Sequence, residues 1–135
     1  MRSNQKGFTL IELLAVIVIL AIIALVTTPI VLNVIADARD KAALDKMYGV
    51  IDAVRLAYTQ NQVSDSPVTS ATITVTFAAN TDSKIGNTTI SISGDKPTAG
   101  TVTINTSTGK ITATGVKFQN DTHTCSVGND GKASC

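Results

Sequence analysis

The chain has 135 residues, room for one globular domain at most. Eleven basic and ten acidic side chains leave a formal net charge of +1, a balance that suggests neither a nucleic-acid footprint nor an acidic tail. The apolar residues are unevenly placed: between Phe8 and Leu32 the only charge is Glu12, whereas the last 70 residues or so are rich in Thr, Ser, Gly and Asn. That asymmetry predicts a membrane-embedded start and an exported, water-facing end.

Residues 1–7, MRSNQKG, are short and basic. Arg2, Lys6 and the amino terminus place this end in the cytoplasm by the positive-inside rule. The stretch 8–32 follows. At about 1.5 Å per residue it reaches about 37 Å as a helix, enough to cross a hydrocarbon core of about 30 Å. A signal peptide that is cut off after its apolar run fits less well. The sequence ALVTTPIVLN offers no small-x-small cleavage site, and Glu12 is out of place at the head of such a run. Pro29 lacks an N–H and meets the carbonyl of Leu25, which predicts a kink or an opened turn, with Thr27 and Thr28 at hand for freed backbone groups.

Over residues 33–62 charges enter, but apolar side chains recur at helical spacing: Val34, Ala38, Leu44, Met47 or Tyr48, Ile51, Val54 or Arg55, and Tyr58. Asp37 and Lys41 stand four apart, the favourable order for a helical ion pair. One helix is therefore expected from near Phe8 to near Gln62, apolar all round in its first half and amphipathic in its second. Gly49 is a soft point in it, costing about 1 kcal/mol relative to Ala.

After NQVSDSP the period becomes two. TITVTF (72–77), TTISIS (88–93), TVTIN (101–105) and KITAT (110–114) alternate Thr or Ser with Ile or Val, as half-buried antiparallel strands do. TSTG signals a hairpin turn between the last two, and VKF (116–118) extends the fourth strand past Gly115. The expected buried set is Ile73, Val75, Phe77, Ile90, Ile92, Val102, Ile104, Ile111, Val116 and Phe118. The stripe on the second half of the helix is their partner. The fold class is α+β: a long N-terminal helix, half transmembrane and half amphipathic, packed on a small antiparallel sheet in residues 63–135.

Two cysteines, Cys125 and Cys135, stand at the C-terminus. In an exported chain they read as one bridge closing a short loop. Two free thiols, or a metal pair without its other ligands, are the alternatives. A three-residue hairpin loop at Asn129-Asp130-Gly131, with Gly131 in the left-handed position, sets Val127 opposite Ala133 and Cys125 opposite Cys135. Opposed residues have Cα atoms about 4.5 to 5.5 Å apart, which a disulfide spans.

The segment Lys6-Gly7-Phe8-Thr9-Leu10-Ile11-Glu12, followed by the apolar run, resembles the class III signal of type IV pilins and pseudopilins. The resemblance is close to about residue 35 and architectural beyond it. It implies that residues 1–7 are a leader, cut between Gly7 and Phe8 by a membrane-embedded prepilin peptidase. It implies that Phe8 becomes an N-methylated mature end, that Glu12 together with Phe8 serves subunit assembly, and that Pro29 is the family's helix-bending proline. Residues 8–32 would then be both transmembrane segment and filament core. Many members carry a helix-weakening glycine between the positions of Glu12 and Pro29, and this chain has none there; a second proline often bends the helix further along, and here Gly49 lies in that neighbourhood.

The function implied is that of a pilus subunit: a single-pass precursor in the cytoplasmic (inner) membrane, then part of an extracellular filament. Its partners are copies of itself, the lipid bilayer before assembly, the peptidase, and a membrane platform with its ATPase; none is a nucleic acid. One alternative is a pseudopilin of a type II secretion or DNA-uptake apparatus. Another is a membrane-tethered binding domain that never polymerises. No catalytic constellation is visible, and no cofactor or metal is expected. His123, the single histidine, reads as a loop residue. Asp121, Asn129 and Asp130 are weighed as Ca²⁺ ligands, but their spacing is not that of an EF-hand and solvated turn residues are the better reading. Tyr48 and Tyr58 are expected under the sheet.

Overall fold

The computed structural model describes residues 7–79, 81–119 and 121–135. Helix α1 runs Leu10–Gln62, in agreement with the expected span. Seven strands follow: β1 Thr72–Ala78, β2 Lys84–Ile85, β3 Thr88–Thr89, β4 Pro97–Asn105, β5 Ile111–Phe118, β6 Cys125–Val127 and β7 Ala133–Ser134. The chain divides into two compact units, the first ending at Ala38 and the second running Arg39–Cys135.

In the first unit every described side chain is exposed. The helix passes through Pro29 as one assigned element. Thr27 and Thr28 donate their hydroxyls to the carbonyls of Ile23 and Ala24, at 2.9 and 2.6 Å. They therefore do not serve the carbonyl of Leu25, whose partner N–H Pro29 removes. Such back-bonding from a residue to the carbonyl four before it satisfies the hydroxyls in a surrounding without water.

In the second unit, α1 packs on a five-stranded antiparallel sheet of order β1-β4-β5-β6-β7. The period-two alternation explains the burial. Ile73 pairs with Ile104 and Val75 with Val102, all facing the core, while Thr74 pairs with Thr103 and Thr76 with Thr101 on the other face. On β5, Ile111, Ala113, Val116 and Phe118 turn inward. Between Ala113 and Val116 the residue count on the inner face slips by one, at Gly115 (φ 65°), so the strand regains its inward phase at Val116. Opposite it, Gly100 takes φ 113°, and a Cβ there would stand 2.6 Å from the Cα of Val116.

Of the expected core, Ile92 is only partly buried and the rest are buried. Two readings need correction. The stretch 88–93 is not one strand: only Thr88–Thr89 is, and it pairs with β2 in a separate hairpin. Ile90 is nonetheless buried, its N–H donating to the carbonyl of Ser83 at 2.9 Å. Alternation reports which side chains go inward; it does not name a ladder partner. The helix stripe is also rotated and shortened. The buried positions are Ala43, Met47, Val50, Ile51, Val54, Ala57 and Asn61, whereas Val34 and Ala38 are exposed and Leu44 is half-buried. Small Ala43 and Ala57 allow the helix close to the sheet, a packing choice that hydropathy spacing does not rank. Asp37 and Lys41 form no ion pair among the described residues.

The C-terminal hairpin has the expected register, with Val127 opposite Ala133 and Gly131 at φ 77°. Cys125 and Cys135 are joined by a disulfide, their Cα atoms 4.0 Å apart. Tyr48 does not sit under the sheet. It is partly exposed, and its hydroxyl accepts the N–H of Ala133 at 3.2 Å, tying the hairpin to the helix. Tyr58 does pack against the core.

Candidate functional site

The chemistry-bearing residues of the first unit lie at the start of α1. Thr9 N–H donates to Oε2 of Glu12 at 2.8 Å, and Glu12 N–H donates to Oγ1 of Thr9 at 3.3 Å. The N–H of Leu13 reaches the carbonyl of Thr9 at 3.3 Å, closing the first helical turn. This is a capping box: Thr9 is the N-cap, Glu12 the third helical residue, and two backbone donors that the helix cannot satisfy are met by side chains. The T-x-x-E spacing at 9–12 was the signal for it, and a reading of Glu12 only as an isolated carboxylate passes over it.

The cap places the carboxylate against the positive end of the helix dipole. A carboxylate has about four lone-pair sites on its two oxygens, and the Thr9 bond uses one. The remaining acceptor capacity lies at an exposed helix end, beside Phe8, which is 90% exposed. Gly7 is exposed too, and a Cβ added there would meet nothing within 4 Å. The bond between Gly7 and Phe8 thus carries no side chain on its first residue.

From Leu10 to Ile35 the large apolar side chains of α1 are all substantially exposed, Leu10 at 84% and Ile35 at 43% being examples. The segment is long and apolar enough to cross a membrane, by length and composition. An apolar surface of this size is costly in water at about 25 cal/mol per Å². Lipid or the same surface of other copies are the environments that relieve that cost.

The second unit holds a charge cluster that the sequence did not announce. Lys46 Nζ lies 2.9 Å from Oδ2 of Asp95 and 3.6 Å from Oδ2 of Asp121, and stands 5.7 Å from the Phe118 ring centre. His123 lies between two carboxylates: Nδ1 is 2.6 Å from Oδ1 of Asp121 and Nε2 is 2.9 Å from Oδ1 of Asp40. So His123 is a loop residue, as expected, and it also joins the β5–β6 connection to the helix. The hydrogen bond to Asp121 holds His123 above its ordinary 6.5, against the opposing pull of partial burial, and Asp40 adds to the rise. Asp121 is held below its ordinary 3.8, first by the backbone N–H of His123 and then by its ring. Lys46 is raised, chiefly by its hydrogen bond to Asp95.

Of the residues weighed as Ca²⁺ ligands, Asp121 is taken up in this cluster. Asp130 accepts the N–H of Lys132 at 3.2 Å within the hairpin loop that also holds Asn129. Among the described residues no three His, Cys, Asp or Glu side chains come together as a metal site.

Residues 2–28 match the prokaryotic N-terminal methylation motif. No curated protein and no solved structure matches the chain. The motif match supports the type IV pilin-like family that the N-terminal sequence resembles. With the apolar helix that begins within the matched segment, it fits a membrane-anchored precursor.

Proposed function

We propose that this chain is the structural subunit of a type IV pilus. The observation that carries the reading is the conjunction, in one segment, of the methylation motif with a helix whose apolar surface is exposed all round. Family members of this type polymerise and are processed by a prepilin peptidase, and they are structural rather than enzymatic.

The processing step hydrolyses the Gly7–Phe8 amide. It leaves a carboxylate on the leader 1–7 and an amine on Phe8. That amine has a pKa of about 7.7 to 8 and is mostly protonated at neutral pH; methylation keeps the charge. The new cation then stands one residue before the capping threonine. Glu12 retains free acceptor capacity after capping, so the methylated amine of a neighbouring copy can pair with it. In a medium of low dielectric such a pair is directional, and one left unmade is costly.

Before assembly, residues 8–32 hold the precursor in the cytoplasmic membrane with the leader inside. During assembly, a membrane platform and its ATPase move the segment from lipid into a bundle of identical segments. Pro29 bends the helix within that bundle. Residues 33–62 carry the amphipathic half, and residues 63–135 supply the sheet that faces outward. No cofactor takes part.

Mass spectrometry of filaments from the native host tests the reading: the subunit should begin at N-methylated Phe8. Assembled material that still starts at Met1 would falsify it. Electron micrographs separate the pilus from its nearest alternative. Long surface filaments of this chain are expected; filaments confined to the envelope would assign it to a pseudopilus for secretion or DNA uptake instead.

A further inference from the structure

We propose that His123 is a proton-dependent clasp that fastens the β5–β6 connection to helix α1 at Asp40 and releases Asp40 when the imidazole loses its proton. The geometry requires two donors from one ring. Both ring nitrogens lie within hydrogen-bond distance of a carboxylate oxygen, 2.6 Å on the Asp121 side and 2.9 Å on the Asp40 side. An ionised carboxylate only accepts. A neutral imidazole has one N–H, so one carboxylate would face a nitrogen lone pair. The imidazolium alone satisfies both.

Which contact opens follows from what else holds each carboxylate. Asp121 is the more buried of the two, 12% exposed against 63% for Asp40. Its Oδ1 also accepts the backbone N–H of His123 at 3.0 Å, a bond that no titration removes. Its Oδ2 faces Lys46, which Asp95 keeps protonated well beyond neutral pH. The neutral ring therefore keeps its proton on Nδ1, toward Asp121, and Nε2 turns a lone pair on Asp40. Asp40 is hydrated at little cost, so this is the end that lets go.

The charged groups around the ring are Arg39, Asp40 and Lys46 from α1, Asp121 from its own connection, and Asp95 beyond Lys46 from the segment before β4. Arg39, Lys46, Asp121, Thr122 and His123 line one hollow beside the ring, and the exposed Asp40 side chain meets solvent once released. His123 titrates higher folded than unfolded. Its contribution to stability is thus full below 6.5 and is lost as pH rises through the raised folded value. The clasp is closed in mild acid and open in mild alkali. It does not depend on the filament reading, since every group in it belongs to the residues from Arg39 onward.

The test is a nuclear magnetic resonance pH titration of the full chain in detergent micelles. The His123 ring should titrate above 6.5 with both N–H groups present at low pH and the Nδ1–H tautomer above the midpoint. The Asp40 carboxyl carbon should report the same midpoint. In Asp40→Asn the His123 midpoint should move down, and in His123→Gln the Asp40 carbon should no longer respond in that range. A His123 midpoint at or below 6.5, an Nε2–H tautomer, or an Asp40 signal indifferent to the ring overturns the proposal.

Discussion

Thr9 and Glu12 cap the helix for each other, the amide of each donating to the side chain of the other at 2.8 and 3.3 Å. A carboxylate that seemed stranded in an apolar run is thus engaged before any second subunit arrives. The arrangement separates two roles that a single substitution would confound. Glu12→Gln keeps a side-chain oxygen for the Thr9 N–H but removes the charge; Glu12→Ala removes both. If the charge is what pairs with a neighbouring amine, both variants should assemble at least about tenfold fewer filaments, as expected for loss of one close charge pair. If Glu12→Gln assembles at the normal rate while Glu12→Ala does not, the cap is the whole role. Sheared-filament yield against total subunit measures this.

The core of the second unit rests on few large side chains. Met47, fully buried between helix and sheet, should lose about 2 to 5 kcal/mol when cut to Ala, because the cavity adds to the lost transfer energy. Leu56→Ala, on the exposed face, should cost far less. Denaturant unfolding of the two variants side by side gives the comparison, and equal losses would contradict the helix phase described above.

Asn61 is the one buried polar side chain described, and it is fully engaged. Its Oδ1 accepts the N–H of Val68 at 2.9 Å, and its Nδ2 donates to the carbonyl of Ile85 at 3.2 Å. Asn61→Ala leaves those backbone groups without partners, at about 1 to 3 kcal/mol. Gly86 lies against it with φ 57°, where a Cβ would come within 2.9 Å of both Nδ2 of Asn61 and Cγ2 of Val68. Gly86→Ala should therefore destabilise as well, and the double variant should lose less than the two single losses summed. Strict additivity would show that the two residues do not share one contact.

The Cys125–Cys135 bridge closes a loop of sequence separation 10. Loop-closure entropy for that length gives about 2.5 to 3 kcal/mol, the amount that the Cys125→Ser, Cys135→Ser variant should lose. Tyr48 gives the hairpin a second tie to the helix. Hydrogen exchange at Val127 and Ala133 in the double serine variant should thus rise, while β1 and β4 stay protected. Uniform loosening of the whole sheet would mean that the bridge supports more than its own hairpin.

Acid should act through Asp121. Its folded pKa lies below 3.8, so its contribution is present above that value and is lost as pH falls through the lower folded one. Stability measured from about pH 4 down to about pH 2 should fall less steeply in Asp121→Asn than in the wild type. The opposite order would mean that other carboxylates dominate acid unfolding.

Much of this was legible in the chain. The apolar run, the alternation of TITVTF and TVTIN, and the turn chemistry at Gly131 each depend on neighbours in sequence. They led to the observed helix, to strands β1 and β4 with their buried faces, and to the hairpin register, but not to the β1–β4 pairing. Tyr48 was misplaced because hydropathy sees a ring and not the hydroxyl that finds Ala133. The T-x-x-E cap was written in the sequence and lay hidden behind the charge of Glu12.

What the sequence determined by itself is therefore whatever one segment's composition enforces. A run such as Leu13 to Val26 is driven from water whatever follows it, and TITVTF must bury one face in any sheet. Only the tertiary structure decided which face of residues 39–62 meets that sheet, why Asn61 can be buried, and that His123 reaches Asp40. The physical reason is that these depend on partners far apart along the chain. Burying a polar amide or doubly bonding an imidazole is favourable only when the fold brings every donor and acceptor to the same few ångströms.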